Sequence, residues 1–126
     1  KTITILGLTF KPSTDDMRDS PSLDVIPLLV KKGFKLRVYD PEGMNEAKKY
    51  FNNISKNIIW CKDSYDACKD SDALAILTEW NQFRALDLTR LKKTLKHPII
   101  IDLRNIYHPE ELRNLGFEYH SLGRPF

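Results

Sequence analysis

An alternation limits the fold of this chain more than any other feature of its sequence. Short apolar runs are separated by polar or amphipathic stretches from one end to the other. Thr2–Leu8 (TITILGL) is β-branched and apolar, and reads as a buried strand. Phe34–Tyr39, the short Ile58–Trp60, the fully apolar Ala73–Leu77 (ALAIL) and Pro98–Leu103 (PIIIDL) read as four more strands. Helices fit between them. Ser20-Pro21 is a helix start, with Ser as cap and Pro pre-set for the first helical position, and Leu23, Ile26, Leu29 and Val30 follow at helical spacing before Gly33 ends the segment. A Lys/Glu-rich helix is predicted over Asn45–Phe51, and a short one capped by Asp63 or Ser64 runs through Cys68. Leu88–Leu95 and Pro109–Asn114 are helical, Gly116 ends the last, and Phe117–His120 is an edge strand.

Strands that alternate with helices require right-handed crossovers and a sheet covered on both faces. The expected fold is therefore α/β: a Rossmann-like three-layer sandwich with a mostly parallel sheet of five to six strands. Such sheets bind ligands outside the carboxyl ends of their strands. That rule singles out the segments after Leu8, Tyr39, Leu77 and Ile101.

Composition narrows the function classes. With 126 residues the chain is expected to form one domain, and 41% hydrophobic with 29% charged residues excludes a disordered or collagen-like chain. The net charge of +3 comes from 20 basic residues scattered among 17 acidic ones, which suits an anionic small molecule and not a nucleic acid. The longest apolar run, Pro98–Ile101, is too short to span a membrane. Lys1 leads directly into the first strand with no secretory signal, and the sparse cysteines make a cytoplasmic location the expectation. Cys61 and Cys68 are too few and wrongly spaced for a zinc site or a disulfide scaffold, and are expected as reduced, buried thiols. His97, His108 and His120 have no metal-ligand spacing, so no metal is expected.

The first strand-to-helix connection is the most informative stretch. It reads Gly7-Leu8-Thr9-Phe10-Lys11-Pro12-Ser13-Thr14-Asp15-Asp16-Met17-Arg18-Asp19-Ser20-Pro21. A dinucleotide-binding fold places G-x-G-x-x-G here so that backbone can approach a pyrophosphate. Gly7 is present, but large residues and a proline stand where the other glycines belong. The connection offers two long cations instead, Lys11 and Arg18, beside Asp15, Asp16 and Asp19. These cations either pair with the aspartates or hold a phosphate or carboxylate. Thr9–Ser20 is far longer than the roughly 2–6 residues usual for such loops, which favours a functional role.

The run GLTFKPSTDDMRDSP resembles the opening of the C-terminal domain of the UDP-glucose/GDP-mannose dehydrogenase family. Val38-Tyr39-Asp40-Pro41, Leu77-Thr78-Glu79-Trp80, Asp102-Leu103-Arg104-Asn105 and Ser121-Leu122-Gly123-Arg124 agree with it in order and spacing. The resemblance covers essentially the whole chain. It implies a part in the NAD-dependent oxidation of a nucleotide sugar, UDP-glucose above all, to its uronic acid in two steps. It implies that Phe10 and Lys11 contact the UDP-sugar, that Arg18 reaches across an interdomain cleft towards NAD, and that Arg104 binds the nucleotide sugar of its own or a neighbouring subunit. The family's catalytic cysteine motif, G-G-x-C-x-P-K-D, is missing around both Cys61 and Cys68. By the resemblance, NAD is held mainly by an N-terminal domain, and a central domain completes a homodimer or higher oligomer. The chain alone is expected to be catalytically inactive, with no catalytic residue of its own.

Other residues have plainer readings. Asp40 stands where a Rossmann acid would hold a ribose, but without the glycines it reads as a turn or cap before Pro41. Trp80 reads as a packing or interdomain residue more than a base-stacking platform, and Arg104 has the alternative of pairing with Asp102. The competing function class is a stand-alone Rossmann-like regulatory or interaction module. A phospho-acceptor receiver domain is disfavoured, because the third strand ends in Trp60-Cys61 and not an aspartate.

Overall fold

The computed structural model describes residues 1–122. The Gly123-Arg124 part of the last motif lies outside the described residues. In chain order, the elements are β1 (Thr2–Leu6), α1 (Ser22–Lys31), β2 (Lys35–Tyr39), α2 (Met44–Tyr50), a 3-10 turn (Asn52–Asn57), β3 (Ile58–Trp60), α3 (Ser64–Cys68), β4 (Ala73–Ile76), α4 (Asn81–Arg84), α5 (Leu88–Thr94), β5 (Ile99–Asp102), α6 (Pro109–Asn114) and β6 (Glu118–Ser121). The strands form one sheet in the order β3-β2-β1-β4-β5-β6, with every neighbouring pair parallel. The expected α/β architecture is present, and its order reverses between β1 and β4. That reversal is the topological switch point at which open α/β sheets form their ligand crevices.

Two apolar layers hold the sheet. Leu6, Leu74, Ile76 and Ile100 face a cluster with Ala67, Phe83, Leu91 and Tyr119. Ile5, Leu36, Val38, Ala75 and Leu77 face a second cluster with Met17, Ile26, Ala47 and Phe51. Successive residues of β1 and β4 thus enter opposite layers, which is why these central strands are apolar on both sides, while β2 and β6 alternate. Each fully buried Leu or Ile side chain contributes about 1.5–3 kcal/mol from burial.

Boundaries differ from the sequence expectation in physically clear ways. β1 stops at Leu6, because Gly7 turns at φ +94° and Leu8 and Thr9 give their N–H groups to a side chain instead of a strand. α1 begins at Ser22, although Ser20 Oγ still accepts the Ser22 N–H at 3.2 Å. α4 and the 3-10 turn are too short to carry a periodic signal. No helix among the described residues is long and apolar enough to cross a membrane, and the described residues contain no cluster suited to a metal ion. Both cysteines are free and buried, and burial pushes the Cys68 thiol up to about 12, where it is inert as a nucleophile.

Candidate ligand site at the carboxyl edge of the sheet

The root of the β1–α1 connection is rigid. An added Cβ on Gly7 would lie 2.6 Å from the backbone N and the Cβ of Thr78, so this crossing of β1 past β4 admits no side chain. The Gly7 N–H donates to the Tyr39 carbonyl at 3.0 Å. Asp40 is 1% exposed and acts as a hub. Its Oδ2 accepts from the Leu8 N–H (2.7 Å), the Thr9 N–H (3.2 Å) and the Thr9 hydroxyl (3.4 Å). Its Oδ1 accepts from the N–H groups of Glu42 (2.9 Å) and Gly43 (2.7 Å). A carboxylate with this many donors has no capacity left for a ribose, which is the turn role expected of Asp40. On the far side, the hydroxyls of Ser20 and Ser22 both donate to the Leu8 carbonyl at 2.6 Å. The Thr78 hydroxyl donates to the Thr9 carbonyl at 2.7 Å, and the buried Met17 side chain plugs the second apolar layer.

From this root the tip projects. The Phe10 N–H donates to the Asp16 carbonyl at 2.8 Å and closes the tip. Phe10 is 46% exposed, a position with little packing to account for a large apolar ring. Lys11 is exposed and makes no ion pair with any described residue. Arg18 differs: its Nε and Nη2 hold both oxygens of Asp16 at 3.0 Å. The Arg18 hydrogen bonds hold the Asp16 carboxyl down at about 2, and Asp16 in turn raises the guanidinium pKa. A cleft of about 430 Å³ beside Arg18 is lined by Asp15, Asp16 and Glu46 as well. Three carboxylates against one guanidinium disfavour an anion there while that pair is closed.

The second half of the edge forms where β4 and β5 end. Asp102 is fully buried. Its Oδ1 accepts the Arg104 N–H at 3.0 Å, and its Oδ2 accepts the Ile106 N–H (2.8 Å), the Tyr107 N–H (3.3 Å) and the Tyr119 hydroxyl (2.6 Å). Asn105 takes a left-handed conformation at φ 57° inside this turn. Asp102 therefore holds the Arg104 backbone and not its side chain. The side chain turns to Glu79, with Nε at 3.1 Å and Nη2 at 2.5 Å from Oε2. Burial pushes the Glu79 carboxyl up, but the Arg104 hydrogen bond and charge outweigh it and leave the group below its ordinary range. Trp80 packs in the first apolar layer, as the sequence suggests.

The structure thus brings Phe10, Lys11, Arg18 and Arg104 to one edge of the sheet, on connections after β1 and β5. The segment after β4 links them: Thr78 touches the first connection and Glu79 the second. Sequence reasoning missed the Glu79–Arg104 pair and the buried role of Asp102. A strand-ending Asp followed by a turn-forming Asn was the available signal for the latter. A surface depression of about 930 Å³ lies on the outer side of α6 and contains none of the predicted residues. It is lined by a single short helix and the residues on either side of it, His108 and Leu115, with no convergent polar groups from other elements.

This is a doubly wound parallel domain with a cationic first connection in place of the glycine fingerprint, and so without a complete dinucleotide cradle of its own. The chain belongs to the UDP-glucose/GDP-mannose dehydrogenase family: residues 4–109 match the model of that family's UDP binding domain. It is 51% identical over 123 residues to the UDP-glucose 6-dehydrogenase of Rhizobium meliloti, covering 98% of the chain and 27% of that protein. Identity to the UDP-glucose 6-dehydrogenase TuaD of Bacillus subtilis is 42%, over 99% of the chain and 26% of the relative. Among solved structures, the NDP-N-acetyl-D-galactosaminuronic acid dehydrogenase of Methanosarcina mazei superposes with a TM-score of 0.81 at 28% identity, over 98% of this chain and 24% of that one. The chain spans about a quarter of the length of the curated relatives it matches.

Proposed function

We propose that this chain supplies the UDP-sugar-binding domain of a longer, NAD-dependent nucleotide-sugar dehydrogenase that oxidises UDP-glucose to its uronic acid in two NAD-linked steps. The observation that carries this reading is the pairing of an immobile root with an unengaged tip: Asp40, Ser20, Ser22 and Thr78 lock the connection, while Phe10 and Lys11 stand exposed at its end. Lys11 supplies a positive charge for the diphosphate, and Phe10 an apolar face for the sugar nucleotide. Arg104 supplies a second cation from the β5 turn. Preorganised cations are worth most where other domains close over them and exclude water.

NAD does not fit this chain as a complete site. The space beside Gly7, where a pyrophosphate would press against backbone, is filled by Thr78. Arg18 is the one residue assigned towards NAD; Asp16 holds its Nε and Nη2, so the full fork meets a phosphate only once that pair opens. The remaining partners are the enzyme's own N-terminal and central domains, in a cytoplasmic homodimer or higher oligomer. The test is a comparison of steady-state kinetics in the complete enzyme. Lys11→Ala is expected to lower kcat/KM for UDP-glucose at least tenfold, about 1.4 kcal/mol of transition-state stabilisation. A smaller loss removes Lys11 from the site. UDP, UDP-glucose, GDP-mannose and a UDP-N-acetylhexosamine, titrated in parallel, identify the base and sugar preferred.

A further inference from the structure

We infer that Glu79 is the positioning residue for Arg104, an inference that rests on the assignment of Arg104 to the nucleotide sugar. Arg104 leaves β5 on a turn whose backbone is fixed by Asp102. Its side chain crosses to the end of the neighbouring strand and sets Nε and Nη2 on one carboxylate oxygen of Glu79, at 3.1 and 2.5 Å. The main chain is therefore held from β5 and the guanidinium from β4. A free arginine loses rotamer freedom when it engages a ligand, and here that ordering occurs on folding. Nη1 carries no hydrogen bond to a described residue, and the side chain remains 34% exposed. One edge of the fork is used and the other is open.

Glu79 is placed at a cost that a solvated surface pair would not carry. Its side chain is three-quarters buried, and its second oxygen, Oε1, is buried with no hydrogen-bond partner. A half-satisfied, partly desolvated carboxylate is unfavourable by itself. Arg84, the other cation close by, spends Nη1 on the Glu79 carbonyl and on Asn81 Oδ1, not on the carboxylate. Arg104 is left as the cation that compensates Glu79. The rival role for such a carboxylate is competition: it would neutralise Arg104 and weaken anion binding. The two roles predict opposite signs.

The experiment is a double-mutant cycle in the complete dehydrogenase, with UDP affinity read by calorimetry and folding by thermal unfolding. Glu79→Gln keeps the volume and removes the charge, and is expected to weaken UDP binding about tenfold, the order of coupling found between contacting groups. In an Arg104→Ala background the same change should have no further effect, which a general structural role would not produce. Glu79→Asp keeps the charge but withdraws it by one methylene; it should lose affinity as Gln does, and it carries the test if the Gln variant folds poorly. Tighter UDP binding by Glu79→Gln, or additive losses in the cycle, overturns the inference. If Arg104→Ala weakens binding and the Glu79 variants do not, Glu79 alone is removed. If Arg104→Ala leaves the affinity unchanged, the assignment of Arg104 fails and this inference with it.

Discussion

The two arginine–carboxylate pairs of the carboxyl edge make an instructive contrast. Arg18 and Asp16 are neighbours along the chain, and the Arg18 side chain is 81% exposed. Arg104 and Glu79 come from different strand ends, and their side chains are only partly exposed, at 34% and 25%. Geometry is good in both. An exposed local pair contributes little to stability and exchanges readily for another anion, whereas a less open pair anchored from two strand ends holds its geometry better. The Arg18 guanidinium is thus the releasable cation and the Arg104 guanidinium the preset one. The same division separates the two buried aspartates that support them: Asp40 secures the root of a projecting connection, and Asp102 secures the turn that bears Arg104 itself.

The largest effect should come from Asp102→Ala. It removes the acceptor shared by three backbone N–H groups and the Tyr119 hydroxyl, and should cost about 3–5 kcal/mol, read as a drop in midpoint by thermal or denaturant unfolding. A cost below about 1 kcal/mol would mean that the β5 turn is held by something else. Gly7→Ala comes next. The new Cβ meets Thr78 at 2.6 Å in a left-handed backbone, so destabilisation of at least about 1–3 kcal/mol is expected from the backbone conformation alone, before the clash is added. By contrast Lys11→Ala should leave unfolding within about 0.5 kcal/mol of the parent while UDP binding falls, which separates ligand binding from folding at a residue without an ion pair.

The smallest effect concerns the releasable pair. Asp16 has a depressed folded-state pKa of about 2, so its contribution to stability is complete above the ordinary carboxylate range and fades as pH falls towards 2. A carboxyl titration followed by NMR should place Asp16 near 2 in the parent and return it towards the ordinary value of about 3.9 in Arg18→Ala. An unchanged midpoint in that variant would show that Arg18 is not what holds Asp16, and the contrast between the two arginines would lose one side.

Much of the fold could be read from the residues because each level agrees with the next. The apolar runs at β1, β4 and β5 are continuous because both faces of the sheet are covered, and the helices between them carry their own caps and stops. The three-residue β3 was legible only through its place in the alternation. Local chemistry also separated Asp40 from a ribose-binding acid, since the missing glycines left it nothing to hold. The pairings between distant residues were not legible. Nothing in the spacing of Glu79 and Arg104 says that their strands are neighbours; that follows from the order β1-β4-β5 in the sheet. The Arg104–Asp102 alternative failed for a related reason: a carboxylate already filled by three N–H groups and a tyrosine hydroxyl has no room for a guanidinium. The Arg18–Asp16 pair, by contrast, was legible, because the two partners lie two residues apart.

Chemical-shift mapping of the ¹⁵N-labelled chain during a UDP titration tests most directly whether the carboxyl edge is the nucleotide site. Binding at that edge predicts perturbations concentrated at Phe10, Lys11 and the turn from Leu103 to Asn105, with the amides of α6 unmoved. Perturbations confined to α6, or none at saturating UDP, would contradict it.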